Sequence, residues 1–468
     1  MSELEPPSKF HVAICGGGIG GLTLAFALSK SPDISVDVYE AASKFTEIGA
    51  GIGVSWRTRQ VLKSLGLEED VIRLLPFHPG EDRGEIEGYA TLLRESEAIA
   101  VPSVQYRKAD QPDGLAMGTT YSRGKLMTLH RAEFHEVLLN RLSSRCRTSP
   151  SKRLESYIQK PGAPIMLHFQ DGSTATCDIL IGADGLKSAV RKTMFQDAAT
   201  LAESQHRSAD AAELRNLIKP RFSGFFSYRT LIPAARLSSI SPQHKAISSP
   251  VQYLGKNKHM IAYPISRGRF VNIVAFEFHP HEEGTQFDGP WVADEVPSYV
   301  QGLFQGWEKE VGDIVQCLDG LKITRWAVNV MPTLPFFAFG NVAILGDAAH
   351  AMTPFQGAGA GQAIEDAAIL AALLSNELAT ETTVPQVLEV YSRFRQPLAT
   401  EVARRSRING EHFQLRSLAE PADHHDLSSA HLQGIVKQIQ DNFEWLYQTD
   451  WGAELQRAMS MLLAGLAT

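Results

Sequence analysis

The stretch His11-Val12-Ala13-Ile14-Cys15-Gly16-Gly17-Gly18-Ile19-Gly20-Gly21-Leu22 decides how the rest of the chain is read. Val12 to Cys15 has the apolar texture of a short buried strand, and Leu22 to Leu28 that of an apolar helix. After the Ser31-Pro32-Asp33 break a second strand runs from Ile34 to Tyr39 and ends at Glu40. A strand, a G-x-G-x-x-G turn, a helix and a second strand closed by an acid make a β-turn-α-β unit of the dinucleotide-binding kind. Gly16 permits the tight turn, Gly18 lets a pyrophosphate approach the backbone, and Gly21 lets helix and strand pack closely. The unpaired N–H groups and the positive dipole end of the helix then face the phosphates. Glu40 is expected to accept hydrogen bonds from the adenosine ribose.

A chain of 468 residues exceeds one small core and suggests two or more domains, interleaved in sequence. The net charge, 45 − 52 = −7, argues against a nucleic-acid partner and shows no polybasic membrane signal. Four cysteines, Cys15, Cys146, Cys177 and Cys317, are scattered without a C-x-x-C pair. They read as reduced thiols of a cytoplasmic protein, and they argue against zinc or any other metal site. Met1 to Lys9 is polar and acidic, unlike a signal peptide. No stretch approaches the roughly 20 apolar residues of a spanning helix, and the apolar tail from Met459 is expected to pack on the body of the protein.

Further along, Thr46 to Val54 is a glycine-dense loop leading into a strand, and a helix from Arg57 to Leu65 is closed by Gly66. So many glycines suggest backbone that something flat approaches. Residues 73–120 carry four prolines and no sustained period, which reads as strands and loops of a second domain. Met127 to Leu142 shows helical spacing, with Arg131 in the first turn, where a cation needs an anionic partner such as a phosphate. Ile165 to Phe169, the Asp171-Gly172 turn and Ala175 to Ile181 read as a hairpin feeding a buried strand. That strand ends in Gly182-Ala183-Asp184-Gly185, followed by Ser188 and Arg191; Asp184 thus lies at a carboxyl end, where ligands of α/β sheets collect. From about Ala198 to Leu334 the texture is that of an antiparallel sheet, with Tyr228, Arg229, Tyr253, His259 and Tyr263 as polar tips.

The chain then returns to a buried strand, Asn341 to Leu345, opening into Gly346-Asp347-Ala348-Ala349-His350 and Pro354-Phe355-Gln356-Gly357-Ala358-Gly359-Ala360-Gly361. The last glycines make a helix N-terminus able to hydrogen-bond a ring carbonyl or an anionic ring nitrogen. His350 has no Ser or Cys nucleophile beside it and reads as a packed histidine. Helices are expected at about Gly361 to Leu378 and Val387 to Arg407, and an amphipathic helical tail from Leu427 to Leu466, with Trp445 and Trp451 as anchors.

Together, Gly16 to Gly21 with Glu40, Gly182 to Gly185 with Ser188 and Arg191, and Gly346 to His350 resemble the single-component FAD aromatic hydroxylases of the para-hydroxybenzoate hydroxylase fold. The chain is similar in particular to their fungal salicylate-hydroxylase-like branch, through Glu47-Ile48-Gly49-Ala50-Gly51-Ile52, His130 to Phe134, Tyr228 to Pro233 and Tyr263-Pro264, over roughly residues 10 to 400. The resemblance implies an α/β fold. A Rossmann-like FAD-binding domain (8–75, 125–200 and 335–420) is interleaved with a mainly antiparallel β-sheet substrate domain (76–124 and 201–334), and a helical tail follows (421–468). It implies that Glu40 binds the adenosine ribose, that the Gly49 to Gly53 loop and Arg131 line the FAD, and that Asp184 serves both its pyrophosphate and the nicotinamide donor. Asp347 would hold the ribityl or pyrophosphate region, and Pro354 with the helix start around Gly359 and Ala360 would flank the flavin ring. Arg229 and Tyr263 match positions that hold a phenolate in dearomatising relatives. The chain departs from the pattern at Ser55-Trp56-Arg57, where many relatives carry Pro-Asn, and at Thr230, where glycine is usual.

The activity implied is hydroxylation of a phenolic or benzoic-acid-type aromatic with NAD(P)H and O2 through a C4a-hydroperoxyflavin, the FAD held tightly but not covalently. NAD(P)H would visit a groove transiently, since no second Rossmann unit is visible. Arg229 would favour the phenolate and Tyr263 would donate to its oxygen. The protein is expected to be a monomer or homodimer. An epoxidase or dearomatising hydroxylase of a secondary-metabolite pathway is the rival within enzymes. A flavin redox sensor is the rival outside them, and it would need an interaction module that the sequence does not display.

Overall fold

The computed structural model describes residues 8–45, 51–74, 100–124, 127–416 and 428–466. Its first layer is a six-stranded sheet in the order Ala338–Phe339, Val342–Ile344, Ile179–Gly182, Phe10–Cys15, Ile34–Tyr39, Cys146–Ser149. All neighbours in it are parallel except the first pair. Val12, Ala13 and Ile14 are fully buried, as a parallel strand covered on both faces requires. The helix Ile19–Leu28, buried along its whole length, packs on the helix Gly359–Leu374. Gly20 permits this approach, since a Cβ there would lie 2.7 Å from Leu345 and 3.1 Å from Ala363.

The parallel order has a direct consequence. Cys15 is level with Gly182, and Gly182 with Ile344, on three adjacent strands. The three glycine-and-acid turns therefore emerge side by side at one edge of the sheet, within about 10 Å of each other at ordinary strand spacing.

The expected single strand from Ala175 to Ile181 is two. Thr174–Cys177 belongs to a three-stranded antiparallel sheet with Ile165–Phe169 and Leu154–Ile158. Ile179–Gly182 belongs to the parallel sheet. The chain changes sheets at Asp178, which exchanges hydrogen bonds with the backbone of His11: Oδ2 accepts from its N–H at 2.7 Å, and the Asp178 N–H donates to its carbonyl at 2.9 Å.

The second layer is an eight-stranded sheet, in the order Val292–Glu295, Ile323–Val330, Arg221–Pro233, Phe270–Phe278, Lys258–Ile265, Val251–Gly255, Ala100–Lys108, Leu115–Arg123. Along Lys258–Ile265, Met260 and Ala262 enter a core under the sheet, while His259, Ile261 and Tyr263 line a cavity on the other face. The strands expected between Ala198 and Leu334 are present, but the region is not purely strand-like. Residues 198–204 finish the helix Ala189–Ser204, and Ser208–Asn216, Ala234–Ile240, Pro297–Leu303 and Lys309–Gln316 are also helical. Ala199, Ala202 and Ala211 pair the first two of these through small side chains, and such alanine-rich segments favour helix.

The helical reading of Met127 to Leu142 is corrected at its start. Met127–His130 is a strand paired antiparallel with Gly51–Val54, and the helix is Arg131–Asn140. The C-terminal part is helical as expected: Val384–Phe413, Ser429–Phe443 and Trp451–Leu466, with Pro397 accommodated inside the first. Trp445 donates to Gln356 Oε1 at 3.2 Å and Trp451 to Ser64 Oγ at 3.0 Å, so both indoles anchor the tail. Among the described residues no helix is long and apolar enough to cross a membrane.

Candidate active site

A cavity of about 1000 Å³ runs from the edge of the parallel sheet to the upper face of the antiparallel one. Gly16, Gly18, Glu40, Gly53, Arg131 and Asp184 contribute to its wall, and so do Arg229, Tyr263, Asp347, Pro354, Gly359 and Ala360. Gly21 stands outside the wall. A Cβ on it would lie 2.0 Å from the Gly16 carbonyl oxygen and 3.3 Å from Ala183, so it serves the contact between helix and strand.

Around the first turn, Gly16 takes φ +113°, and a Cβ there would sit 2.2 Å from the Ala183 carbonyl oxygen. The first and second motifs thus touch through a glycine. Glu40 is already oriented by backbone: Oε2 accepts from the Gly17 N–H at 2.8 Å and Oε1 from the Ala42 N–H at 2.7 Å. Its remaining lone pairs are available to a ligand in the cavity. His135 Nε2 lies 2.7 Å from the Gly17 carbonyl oxygen and ties the helix that begins at Arg131 to the same turn.

Asp184 Oδ2 accepts from the Ala189 and Val190 N–H groups at 2.7 and 3.2 Å, while Ser188 Oγ accepts from Arg191 N–H at 2.8 Å. The helix Ala189–Ser204 is therefore doubly capped. Among the described residues, Asp184 Oδ1 is buried and has no hydrogen-bond partner. Burial pushes this carboxyl up, against the pull of its hydrogen bonds. A buried acceptor on a cavity wall fits a site that receives a donor from a ligand. In the third motif, Gly346 takes φ +58° and donates to Asp366 Oδ2 at 3.0 Å, and Asp347 projects into the cavity. His350 is buried, 2.5 Å from the same Asp366 oxygen, a packed and paired histidine.

The helix Gly359–Leu374 begins at the cavity without a side-chain cap. Gly359, Ala360 and Gln362 line the space, so its first N–H groups supply an anion-stabilising surface. Opposite lies the antiparallel sheet. Arg229 and Tyr263 stand on the same face with the strand Phe270–Phe278 between them. Arg229 Nε donates to Ser227 Oγ at 3.2 Å and its guanidinium stacks 5.0 Å from the Trp326 ring; among the described residues it has no carboxylate partner. Burial lowers its pKa, Tyr263 opposes that, and nearby Arg131 adds to it. Burial pushes the Tyr263 hydroxyl up to about 12 despite the pull of Arg229, which keeps it a neutral donor at ordinary pH. A Cβ on Gly51 would lie 2.5 Å from the Tyr263 oxygen, so the flat group that this glycine admits is the tyrosine itself. Glu47 to Ala50, singled out in the same loop, lie outside the described residues.

Beyond Tyr263 the wall is apolar, with Ile261, Val274, Phe276, Phe355 and Phe413. His259 is stacked on Phe276, centroids 4.5 Å apart, and burial lowers its pKa to about 3, so it is neutral. Sequence reading missed His135 and Asp366, which hold the backbone of the first and third turns at Gly17 and Gly346 from outside the cavity wall, because their partners are remote in sequence. The helical spacing of His135 from Arg131 was the available signal for the first.

A family profile described as an FAD binding domain matches residues 9–406. The chain is 35% identical to the FAD-dependent monooxygenase str9 of Strobilurus tenacellus, over 97% of this chain and 98% of that protein. It is 30% identical to a salicylate hydroxylase of Pseudomonas putida, over 98% and 95%. It is 33% identical to the 6-methylsalicylate 1-monooxygenase atA of Aspergillus terreus, over 86% and 82%. A solved salicylate hydroxylase substrate complex superposes with a TM-score of 0.77 at 29% identity, covering 96% of this chain and 98% of that one. A G-x-G-x-x-G turn with its oriented acid, a buried acceptor at the second turn and an uncapped helix start on one continuous slot fit FAD. The chain belongs to the FAD binding domain family, and it is an FAD-dependent monooxygenase of the aromatic-hydroxylase type.

Proposed function

We propose that the substrate is a small phenolic or benzoic-acid-type aromatic, held between Arg229 and Tyr263 on the sheet and the helix start at Gly359. The observation that carries this is the placement of an arginine without a carboxylate partner among the described residues and a neutral tyrosine on one face of the cavity, opposite backbone N–H groups. When bound, FAD, reduced by NAD(P)H, supplies the activated oxygen. Glu40 would accept from its adenosine ribose, with Gly16 and Gly18 admitting the pyrophosphate. Asp184, Asp347, Arg131 and Gly53 would line its length, and Pro354, Gly359 and Ala360 its ring. Arg229 favours ionisation of the phenol, because a nearby cation stabilises the charged form. Tyr263 donates a hydrogen bond to the resulting oxyanion. The phenylalanine-lined end excludes water and orients the ring. NAD(P)H reaches the ring from a surface groove, and the four buried free cysteines support a reducing, cytoplasmic setting.

The interleaved division into a cofactor domain (8–75, 125–200, 335–420), a substrate domain (76–124, 201–334) and a helical tail is part of the same reading. The test is purification, recording of the flavin spectrum, and a screen of salicylate, hydroxybenzoates, vanillate, orsellinate-like aldehydes and catechols for stimulated NAD(P)H oxidation with oxygen uptake and a hydroxylated product. A flavin-loaded protein that consumes NAD(P)H at one rate with every aromatic, and releases no product, contradicts this assignment.

A further inference from the structure

Arg57 is a buried cation, 2% exposed, at the start of the helix Trp56–Ser64, and nothing in the chemistry above uses it. It belongs to the stretch Ser55-Trp56-Arg57, where many relatives carry Pro-Asn. Its guanidinium grips Glu365 in a two-point fork, Nε to Oε1 at 2.8 Å and Nη2 to Oε2 at 2.9 Å. From the other side it donates to Thr449 Oγ1 and to Glu454 Oε2, at the beginning of the last helix. Glu365 is held in turn by Gln362 Nε2 at 3.1 Å and by Arg395 Nη1 at 3.0 Å. Arg395 continues to Asp366 Oδ1 at 2.7 Å, and Asp366 to the Gly346 N–H at 3.0 Å. Gln362, Glu365 and Gly346 line the cavity, whereas no described residue from Thr449 onward does. The neighbouring Thr58 meets the same helix: a Cβ on Gly361 would lie 2.4 Å from its Oγ1.

A continuous buried ionic path therefore joins the C-terminal helix to two walls of the cofactor slot. Such a path transmits displacement. Removing one charge leaves its partner buried and uncompensated, so the remaining groups must shift or admit water. We propose that Arg57 is a positioning residue for the flavin, and that the tail segment Thr449–Leu466 is through it a working part of the FAD site without touching FAD. Docking of the tail and alignment of the helix start at Gly359 are one event. This rests on the reading that the Gly359 turn meets the flavin.

The experiment strips FAD from the full-length protein and titrates it back by flavin fluorescence, alongside product formed per NAD(P)H consumed. Glu454→Ala weakens FAD binding by about tenfold, within the usual range for remote coupling, and diverts NAD(P)H oxidation from product to peroxide. Arg57→Ala does the same, and combining the two is no worse than Arg57→Ala alone, because both cut one path. Thr449→Val, which removes one neutral acceptor and preserves the fold, moves FAD affinity in the same direction by about twofold. Variants that lower thermal stability while keeping wild-type FAD affinity and coupling overturn the proposal and make the tail a structural cap only. Wild-type FAD affinity in Gly359→Val would instead overturn the placement of the flavin at that helix, and the inference with it.

Discussion

Arg191 Nη1 donates to the carbonyl oxygen of Ala348 at 2.8 Å, and Nη2 of the same guanidinium donates to the Leu186 carbonyl at 2.6 Å. One buried side chain thus staples the second cofactor motif to the third. Burial lowers its pKa to about 10, opposed by the nearby Asp184 carboxylate, so it stays charged at neutral pH. Arg191→Met keeps the apolar stem and removes every donor. The loss of charge-assisted hydrogen bonds with buried acceptors left behind is expected to cost roughly 2–4 kcal/mol of unfolding free energy. It should also weaken FAD retention. Denaturant unfolding of the apoprotein measures the first and gel filtration of the holoprotein the second; a variant indistinguishable from the parent in both would show that the staple does not hold the slot.

Gly16→Ala tests the contact between the first and second motifs. At φ +113°, with a Cβ 2.2 Å from the Ala183 carbonyl oxygen, an alanine can be accepted only by moving backbone. The expectation is a loss of about 1–3 kcal/mol in stability from strain, together with more than tenfold weaker FAD binding. Unchanged FAD affinity in a folded variant would mean that the turn has room that the geometry denies.

Asp184 sets stability against function. Its carboxyl is raised by burial, with one oxygen unpartnered among the described residues. A raised folded-state pKa means that the ionised form at neutral pH is a cost to the folded apoprotein, relieved as pH falls through the folded value. Asp184→Asn keeps an acceptor for the helix cap and removes the charge. The apoprotein should melt higher than the parent at pH 7, while FAD affinity drops. A variant that melts lower and binds FAD normally would reverse the assignment.

The three motifs were legible because each is a local pattern: a glycine that only one backbone conformation explains, and an acid at the end of an apolar run. Parallel strands then bring them together without further information. What joins them was not legible. Arg191 meets Ala348 across 157 positions, and Arg57 meets Glu454 across 397, and no periodicity announces a pair so remote. The change of sheets at Asp178 was hidden because Cys177 and Ile179 are equally apolar, and only the backbone exchange with His11 separates them. The helices inside the antiparallel region were hidden because aromatic strands dominate its texture while alanines such as Ala199 and Ala202 carry little periodic signal.

Acid should unfold the protein in a way that reports Asp366. Burial alone would raise this carboxyl, but His350 and Arg395 outweigh it and hold the group at about 2. A depressed folded pKa contributes stability above the unfolded value near 4, and that contribution is lost as pH falls through the folded value. The window is therefore about pH 4 to 2, and the contribution is roughly 2–3 kcal/mol. In Asp366→Asn the unfolding free energy should be lower at pH 7 and its slope between pH 4 and 2 shallower. A slope identical to the parent's would place the acid sensitivity elsewhere, with the similarly depressed Asp37 as the group to test.

The last prediction separates the two residues that face the substrate. Tyr263 is a neutral donor, pushed up to about 12, and Arg229 is a half-buried cation with no carboxylate partner among the described residues. Tyr263→Phe removes one hydrogen bond to an oxyanion and should lower kcat/KM about tenfold to a hundredfold, with a smaller upward displacement of the kcat–pH profile than loss of the arginine charge gives. Arg229→Ala removes the charge that favours the phenolate. It should lower kcat/KM by about a hundredfold or more, and it should move the rise of kcat with pH to higher pH, because the bound phenol then ionises less readily and kcat reports the groups of the enzyme–substrate complex. The shift is the discriminating readout, since a residue that merely shapes the pocket would scale the profile without displacing it. Profiles of equal midpoint in parent and Arg229→Ala would remove the arginine from the ionisation step.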